Sequence, residues 1–266
     1  MSDLDAHLRQ RGLMKNTRKT YASLASQGGD DPVGWLKALV EQRRPMGTLA
    51  PARAAVRHRL ESEGKSEEEI RALLPRTRGR KSRVREALSP EALGAYYAAV
   101  EAHAHEPVKT ILLLLPRSGL RVSEACGLRH EDIIEREGRV LLKVLGKGDK
   151  PRIVPLGEAG SQLLRDYRDS AHGRRDPIWL FPGRGGFITS AAVRKVTRAI
   201  RSAVQGFAEL SPHVLRHTYA TSLLSEGIDV RSLQALLGHE AIATTMRYLH
   251  PSTDDLARSV GRLKGL

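Results

Sequence analysis

In the first 75 residues, apolar positions recur at helical spacing and are separated by helix breakers. The helices that this pattern predicts cover residues 17–27, 33–43, 48–63 and 66–74. Asp31 directly before Pro32 is a strong signal for a helix start, since the carboxylate caps the helix and proline fits its first position. Ser66 followed by Glu69 forms a capping box. This part of the chain is therefore predicted to be a small helical domain.

From about residue 87 onward, the pattern predicts a larger, mostly helical domain that contains one β-hairpin. Apolar and polar residues alternate over 139–145 and 151–155, and the segment between these two runs is rich in glycine. The predicted helices cover residues 89–102, 107–115, 123–128, 157–170, 189–204, 212–226, 229–237 and 241–249. We therefore expect a mainly α (α+β) protein, in which a helical N-terminal domain precedes a mixed domain with a small antiparallel sheet.

A strongly basic segment separates these two parts. Residues 76–85 carry six basic side chains and no acidic one, which is typical of a linker that lies along a polyanion. The sequence thus predicts domains over 1–75 and 87–266, joined by a linker over 76–86. The last segment, 252–266, spaces its apolar residues as an amphipathic tail would.

The charge of the whole chain indicates the kind of partner. Lysine and arginine number 44 against 30 acidic residues, a formal net charge of +14. Such an excess favours contacts with nucleic acid phosphates, and no predicted helix pairs a basic face with the strongly apolar face that membrane binding needs. Aromatic residues make up only 4% of the chain, fewer than a protein that stacks single-stranded bases normally has. Double-stranded DNA is the expected partner.

The cysteine content and the apolar runs bear on the compartment. The one cysteine, Cys126, excludes an internal disulfide. The longest strongly apolar run, 111–115, is far shorter than the roughly 20 residues of a membrane span, and the first residues are acidic. We therefore expect a soluble cytoplasmic protein.

Four short motifs in the larger domain carry candidate chemistry. They contain Arg121 at a turn before a helix, Lys147 at the hairpin tip, His213 with Arg216 three residues on, and His239 with Tyr248 nine residues on. Taken singly, each has an ordinary explanation as a solvated or core residue. The spacing of His213 and His217 also suits zinc, but no glutamate lies between them and the chain has no cysteine pair. No Walker-type loop is present either, so we expect neither a metal nor a cofactor.

Taken together, these motifs have the order and spacing of a known family. Over residues 89–255 the sequence resembles the tyrosine recombinases, the phage-integrase and Xer-like site-specific DNA recombinases. The matching segments are 118–128 (SGLRVSEACGL), 146–156 (GKGDKPRIVPL), 213–217 (HVLRH) and 237–250 (LGHEAIATTMRYLH). Residues 14–75 resemble the family's helical core-binding domain more loosely.

The resemblance implies a role for each of these side chains. Arg121 and Arg216 are the two catalytic arginines, Lys147 is the hairpin lysine, and His213 and His239 complete the set around the nucleophile Tyr248. Glu124 matches an acidic position that supports the first arginine. Lys150 is a second lysine on the same hairpin and stays open as an alternative to Lys147.

The implied activity is cutting and rejoining of duplex DNA through a 3′-phosphotyrosyl intermediate, without ATP or metal. The resemblance also implies a tetramer on two DNA sites, in which the tail 252–266 contacts a neighbouring subunit. It leaves room for a second recombinase or an accessory factor as partner. Two alternatives remain open: a type IB topoisomerase-like enzyme, which relaxes DNA without exchanging strands, and a DNA-binding protein that does not cut.

Overall fold

A computed structural model describes residues 2–77, 86–146, 150–203 and 209–238. The chain divides into two compact units, Met1–Val84 and Arg85–Leu266. Predicted features at 78–85, at the hairpin tip 147–149, at the helix over 241–249 and at the tail 252–266 lie outside the described residues.

The N-terminal unit is built from helices. They are α1 (Ser2–Gln10), α2 (Lys15–Gln27), α3 (Pro32–Glu41), α4 (Met46–Ser62) and α5 (Glu67–Leu73). The predicted caps of α3 and α5 are confirmed, since the Asp31 carboxylate accepts the Gly34 N–H at 2.8 Å and Ser66 and Glu69 form the reciprocal capping box. Helix α1 was not predicted from the sequence, and α2 begins two residues earlier than predicted.

Two apolar clusters hold this unit together. One joins α3, α4 and α5 and is centred on the fully buried side chains of Leu36 and Val56. The other joins α1 to α2 through Leu8 and Ala25. Both clusters use the apolar stripes that helical periodicity places on one face of each helix.

The C-terminal unit combines helices with a small sheet. Its helices are α6 (Pro90–His103), α7 (Val108–Ser118), α8 (Val122–Cys126), α9 (Glu158–Asp169), α10 (Ser190–Ala203), α11 (Pro212–Ser225) and α12 (Val230–Leu237). Its strands are β1 (Ile133–Arg136), β2 (Arg139–Leu145) and β3 (Pro151–Pro155), which pair antiparallel in the order β1-β2-β3, and the short pair β4 (Pro182–Gly183) and β5 (Gly186–Phe187). The predicted hairpin is confirmed with the same strand bounds, and so is the mainly α class.

Helix α7 is the central element of this unit. Its residues Ile111, Leu112, Leu114 and Leu115 are fully buried, and it packs against α9, α10 and α11. It ends at Gly119, whose φ of +63° lies in the left-handed region that favours glycine at a helix C-terminus. The chain then turns directly into α8, so the buried core fixes where the first motif arginine lies.

Among the helices of the described ranges, none combines the length and the apolar character that crossing a membrane requires.

Candidate active site

Arg121 lies between the end of α7 and the first turn of α8. Its backbone N–H donates to Glu124 Oε2 at 2.7 Å, which satisfies a free donor at the start of the helix. Its guanidinium Nη1 donates to Glu124 Oε1 at 2.7 Å, and Nη2 donates to the carbonyl of Gly238 at 3.2 Å. The side chain remains 33% exposed, so Glu124 and Gly238 fix the guanidinium while part of it faces solvent.

Arg216 lies on α11 and is only 4% exposed. Its Nη1 donates to the carbonyl of Gly119 at 2.7 Å, and its Nη2 donates to the carbonyl of Leu237 at 2.6 Å. These two carbonyls belong to the C-terminal ends of α7 and α12, where the helix dipoles favour a cation. A single guanidinium thus ties together the ends of two helices.

The structure brings these two sequence-predicted arginines to one place. Both lie around the Glu124 carboxylate, since Arg216 Nη1 is 3.9 Å from Glu124 Oε2 and Arg121 pairs with it directly. Arg216 also donates to the Leu237 carbonyl, and Arg121 donates to the adjacent carbonyl of Gly238. Two always-charged guanidinium groups in one cluster are suited to hold a phosphate.

A third arginine of this cluster, Arg152, was not predicted from the sequence as a site residue. It lies on β3 and donates to Glu124 through Nη1 at 3.0 Å and Nη2 at 2.8 Å, while its Nε donates to the Leu236 carbonyl at 2.8 Å. The period of two places Arg152 on the same face of the strand as the fully buried Val154. A charged residue on the buried face of a strand needs a buried partner, and that signal was available in the sequence.

Glu124 is the common acceptor of the cluster, and its side chain is 6% exposed. Burial by itself raises the pKa of this carboxyl, but the hydrogen bonds from Arg152 and Arg121 outweigh burial and leave the pKa below its usual range. Glu124 is therefore ionised at neutral pH. Three arginines against one glutamate leave this cluster with a charge of 3 − 1 = +2, which favours an anionic ligand.

His213 lies in the first turn of α11, which is capped by Ser211 through a 3.4 Å hydrogen bond to the Val214 N–H. The imidazole of His213 is exposed, whereas Arg216 one turn later is buried. The helix therefore presents His213 to solvent at the same end of α11 that holds Arg216 in the cluster.

The remaining predicted site residues, Lys147, His239 and Tyr248, lie outside the described residues. The chain around two of them is described: the Gly146 N–H donates to the Lys150 carbonyl at 2.9 Å and closes the base of the hairpin tip, and Gly238, directly before His239, ends α12 with a φ of +63°. The choice between Lys147 and Lys150 stays open.

Within the described ranges, one group of side chains has the composition of a metal site, and it lies in the N-terminal unit. His7, His58 and Glu61 bring three potential ligand atoms together. However, Arg11 donates to Glu61 Oε2 at 3.0 Å and Arg57 donates to Glu61 Oε1 at 2.9 Å. Because both carboxylate oxygens already accept from arginines, we interpret this group as an ion-pair centre that links α1 to α4.

Known proteins resemble this chain both in sequence and in structure. The sequence model of the phage integrase family matches residues 86–254. The tyrosine recombinase XerC of Pelobacter propionicus is 43% identical over 149 residues, which cover 56% of this chain and 49% of that protein. XerC of Corynebacterium efficiens is 36% identical over 231 residues, covering 84% of this chain and 73% of that protein.

A solved structure with a similar fold is the integrase of transposon Tn1549 in complex with circular intermediate DNA. It superposes with a TM-score of 0.71 at 17% identity and covers 98% of each chain. The chain spans about half the length of the first curated relative that it matches. The match to the family model over most of the C-terminal unit, together with the arginine cluster found there, identifies this chain as a member of the phage integrase family of tyrosine recombinases.

Proposed function

We propose that this protein is a site-specific DNA recombinase that cuts and rejoins duplex DNA through a covalent 3′-phosphotyrosyl intermediate. The observation that carries the proposal is the convergence of Arg121 and Arg216, which are far apart in the sequence, in one cluster of net positive charge. Membership of the phage integrase family supports the same assignment. The roles of Lys147, His239 and Tyr248 rest on the motifs that contain them.

In the first step, the phenol oxygen of Tyr248 attacks the scissile phosphorus and the bond from phosphorus to the 5′ oxygen breaks. Because a free tyrosine has a pKa of about 10, its proton must leave during the attack, and we assign His213 as the acceptor. Lys147, with Lys150 as the alternative, protonates the departing 5′ oxygen. Arg121, Arg216 and His239 stabilise the negative charge on the non-bridging oxygens.

In the second step, the 5′ hydroxyl of another strand attacks the phosphotyrosyl bond and releases Tyr248. The phosphodiester is re-formed from a phosphoester of similar energy, so the reaction requires no ATP. Repeating this exchange on the second strand pair resolves the branched intermediate into recombinant duplexes.

The assembly follows from this chemistry, since two duplexes with two strands each require four nucleophiles. We infer that four subunits act together on two DNA sites, with the tail 252–266 contacting a neighbouring subunit. A second recombinase can supply two of the four subunits. We place this reaction in the cytoplasm, because the chain's one cysteine cannot form the internal disulfide that is typical of secreted proteins.

Covalent trapping tests the proposal directly. Fragments of genomic DNA from the source organism are incubated with the full chain, the protein is denatured, and DNA attached to the protein is recovered and sequenced. We expect enrichment of a short site for the wild-type chain and none for Tyr248→Phe. The Tyr248→Phe variant should still bind that site with the steep salt dependence of phosphate contacts; equal trapping by both proteins would overturn the assignment.

The same site then separates the alternatives. Two copies of it on one plasmid should yield recombinant products if the protein is a recombinase. Relaxation of supercoiled plasmid without such products, across many sequences, would identify a topoisomerase-like enzyme instead. Binding to the site without covalent trapping would identify a protein that does not cut.

Truncation after Pro251 tests assembly and not cutting, because it removes the tail 252–266 and keeps Tyr248. We expect the shortened chain to bind a single site nearly as well as the full chain and to lose assembly on paired sites in gel-shift experiments. Unchanged assembly on paired sites would contradict the proposed role of the tail.

A further inference from the structure

Arg152 is held within the cluster by several side-chain contacts. Its side chain is 9% exposed and binds both oxygens of Glu124 in a bidentate pair. Its Nε also donates to the Leu236 carbonyl, and Gly238 packs so closely against it that a Cβ there would lie 3.1 Å from Arg152 Cδ. Arg152 is thus fixed by contacts to α8 and to the end of α12.

These contacts tie together three segments that each lie next to a predicted site residue in the sequence. Glu124 holds Arg121 from the α8 side. The segment of α12 that accepts from Arg152 runs directly into His239, and Arg152 itself lies on the strand that follows the hairpin tip with Lys147. One guanidinium therefore connects three segments that are distant from one another in the sequence.

The charge of Arg152 has a second consequence. Glu124 is a single carboxylate shared by Arg121 and Arg152, with Arg216 3.9 Å away. Without Arg152, the carboxylate would pair more fully with the other two arginines and neutralise part of their charge. With Arg152 bound to both of its oxygens, Glu124 can hold Arg121 in place while Arg121 and Arg216 keep a net positive charge toward an anion.

We propose that Arg152 is a positioning residue for DNA cleavage, which acts through Glu124 to orient Arg121 and to keep the arginine pair positive. This inference rests on the proposed recombinase function, in which Arg121 and Arg216 bind the scissile phosphate. Arg152 itself does not contact the DNA. Its removal should slow the chemical step far more than it weakens binding, since a small displacement of a catalytic group can cost up to about 100-fold in rate.

The test compares the full-length wild-type chain with Arg152→Met and Arg152→Lys. The substrate is the duplex that the wild-type chain cleaves, nicked just beyond the scissile phosphate so that the covalent complex is trapped. Single-turnover rates should fall about 10- to 100-fold for Arg152→Met. Arg152→Lys should be slowed less, because lysine keeps the charge but loses the bidentate pairing. DNA affinity should change less than threefold for both.

A methylphosphonate at the scissile position separates positioning from a general structural effect. This substitution replaces one charged non-bridging oxygen by a methyl group, so the substrate depends less on the arginine pair. We expect the defect of Arg152→Met to shrink several-fold on this substrate. A defect of equal size on both substrates would mean that Arg152 only supports the fold, and wild-type rates on both would also overturn the proposal.

Arg165→Met is the matched control. Arg165 joins α9 to β1 through a 3.1 Å ion pair with Glu135 and a 2.7 Å hydrogen bond to the Gly138 carbonyl, so it also links two elements of the same unit but lies outside the cluster. Its rates should equal those of the wild type on both substrates. If Arg165→Met is slowed like Arg152→Met, loss of any such link explains the effect and the proposal fails.

If the wild-type chain cleaves no DNA, the proposed function is refuted. The positioning role of Arg152 can then still be tested by a crystal structure of Arg152→Met. We expect the Glu124 carboxylate to turn toward Arg216, shortening the 3.9 Å separation, and the hydrogen bond from Arg121 to Gly238 to be lost. Unchanged positions of Glu124 and Arg121 would show that Arg152 does not orient them.

Discussion

Arg216 donates a 2.7 Å hydrogen bond to the carbonyl of Gly119, the residue at which α7 ends. Gly119 lies two residues before Arg121, so the same turn that anchors one arginine also sets the starting point of the segment that carries the other. The left-handed conformation of Gly119 directs the chain into α8. The two arginines are therefore linked through a short stretch of backbone as well as through Glu124.

Gly119→Ala tests how strongly this turn is constrained. The substitution places a side chain in the left-handed region, and its Cβ would lie 2.6 Å from Tyr219 Cε1 and 3.1 Å from Leu237 Cδ2. Backbone strain and overpacking together should lower the free energy of unfolding by about 2–4 kcal/mol. Urea denaturation measures the loss, and DNA cleavage should fall with it because the anchor of Arg216 is displaced.

Gly138→Ala is the control for that substitution. Gly138 has a similar φ of +74°, but nothing lies within 4 Å of the Cβ that alanine would add. Only the backbone term remains, about 1–2 kcal/mol, and cleavage should be unaffected. Equal losses of stability for the two variants would show that the contact with Tyr219 imposes no constraint.

Arg216→Met should damage stability and cleavage together. The carbonyls of Gly119 and Leu237 would lose their donor in a buried place, at a cost of about 1–3 kcal/mol. Loss of one charged donor at the scissile phosphate should slow single-turnover cleavage by about 10²–10³-fold. Arg136 is an exposed arginine that pairs with Glu137 at 3.4 Å, so Arg136→Ala should change neither measurement. A comparable slowing in Arg136→Ala would point to a general charge effect.

Local signals account for what could be predicted of the fold. The strands of the hairpin and the caps at Asp31 and Ser66 depend on residues next to each other in the chain, and the structure has them where the pattern places them. Strand β1 was missed because its four residues show no alternation of burial. It is held by pairing with β2, from Ile133 opposite Leu142 to Arg136 opposite Arg139, and such pairing leaves little trace in so short a segment.

The site residues also divide into those that local motifs predict and one that depends on a distant contact. Arg121, Glu124 and Arg216 could be named in advance because their motifs resemble those of a known family, and the structure brings these three together. The role of Arg152 depends on the side chain that it meets across the unit, and no local pattern specifies that partner. Burial on one face of β3 indicates only that some partner must exist.

Cys126 should be inert toward thiol reagents in the native protein. It is fully buried, and burial raises the pKa of its thiol to about 11, although a hydrogen bond with Ser190 and the charge of Arg194 act in the opposite direction. Since the thiolate is the reactive form, labelling at pH 7.5 should be at least about 100-fold slower than in urea. The chain has one cysteine, so the mass change reports this site alone; rapid native labelling would show that the C-terminal unit opens easily.

The ion-pair centre of the N-terminal unit makes that unit sensitive to acid. Glu61 Oε2 lies 3.0 Å from His7 Nε2 and 3.1 Å from His58 Nδ1, and Arg57 and Arg11 also donate to this carboxylate. Burial opposes ionisation of Glu61, but the hydrogen bonds from Arg57, Arg11 and His7 outweigh it and lower the pKa to about 2. Burial likewise lowers the pKa of His58, against the attraction of Glu61.

Both shifts predict that this unit loses stability as the pH falls. A lowered pKa means that the folded state resists protonation. His58 therefore contributes stability above its unfolded pKa of about 6.5 and loses this contribution at lower pH. Glu61 contributes stability above its unfolded pKa of about 4.3 and loses it as the pH falls from about 4.3 to about 2. Trp35 reports on this unit if Trp179, the other tryptophan, is replaced by Phe. The urea midpoint of Trp35 fluorescence should then decrease from pH 7 to pH 3.

In the same Trp179→Phe background, Glu61→Gln should have a free energy of unfolding about 1–3 kcal/mol lower than the parent at pH 7, and this difference should shrink below pH 4. A constant difference across this range would show that ionised Glu61 does not stabilise the unit.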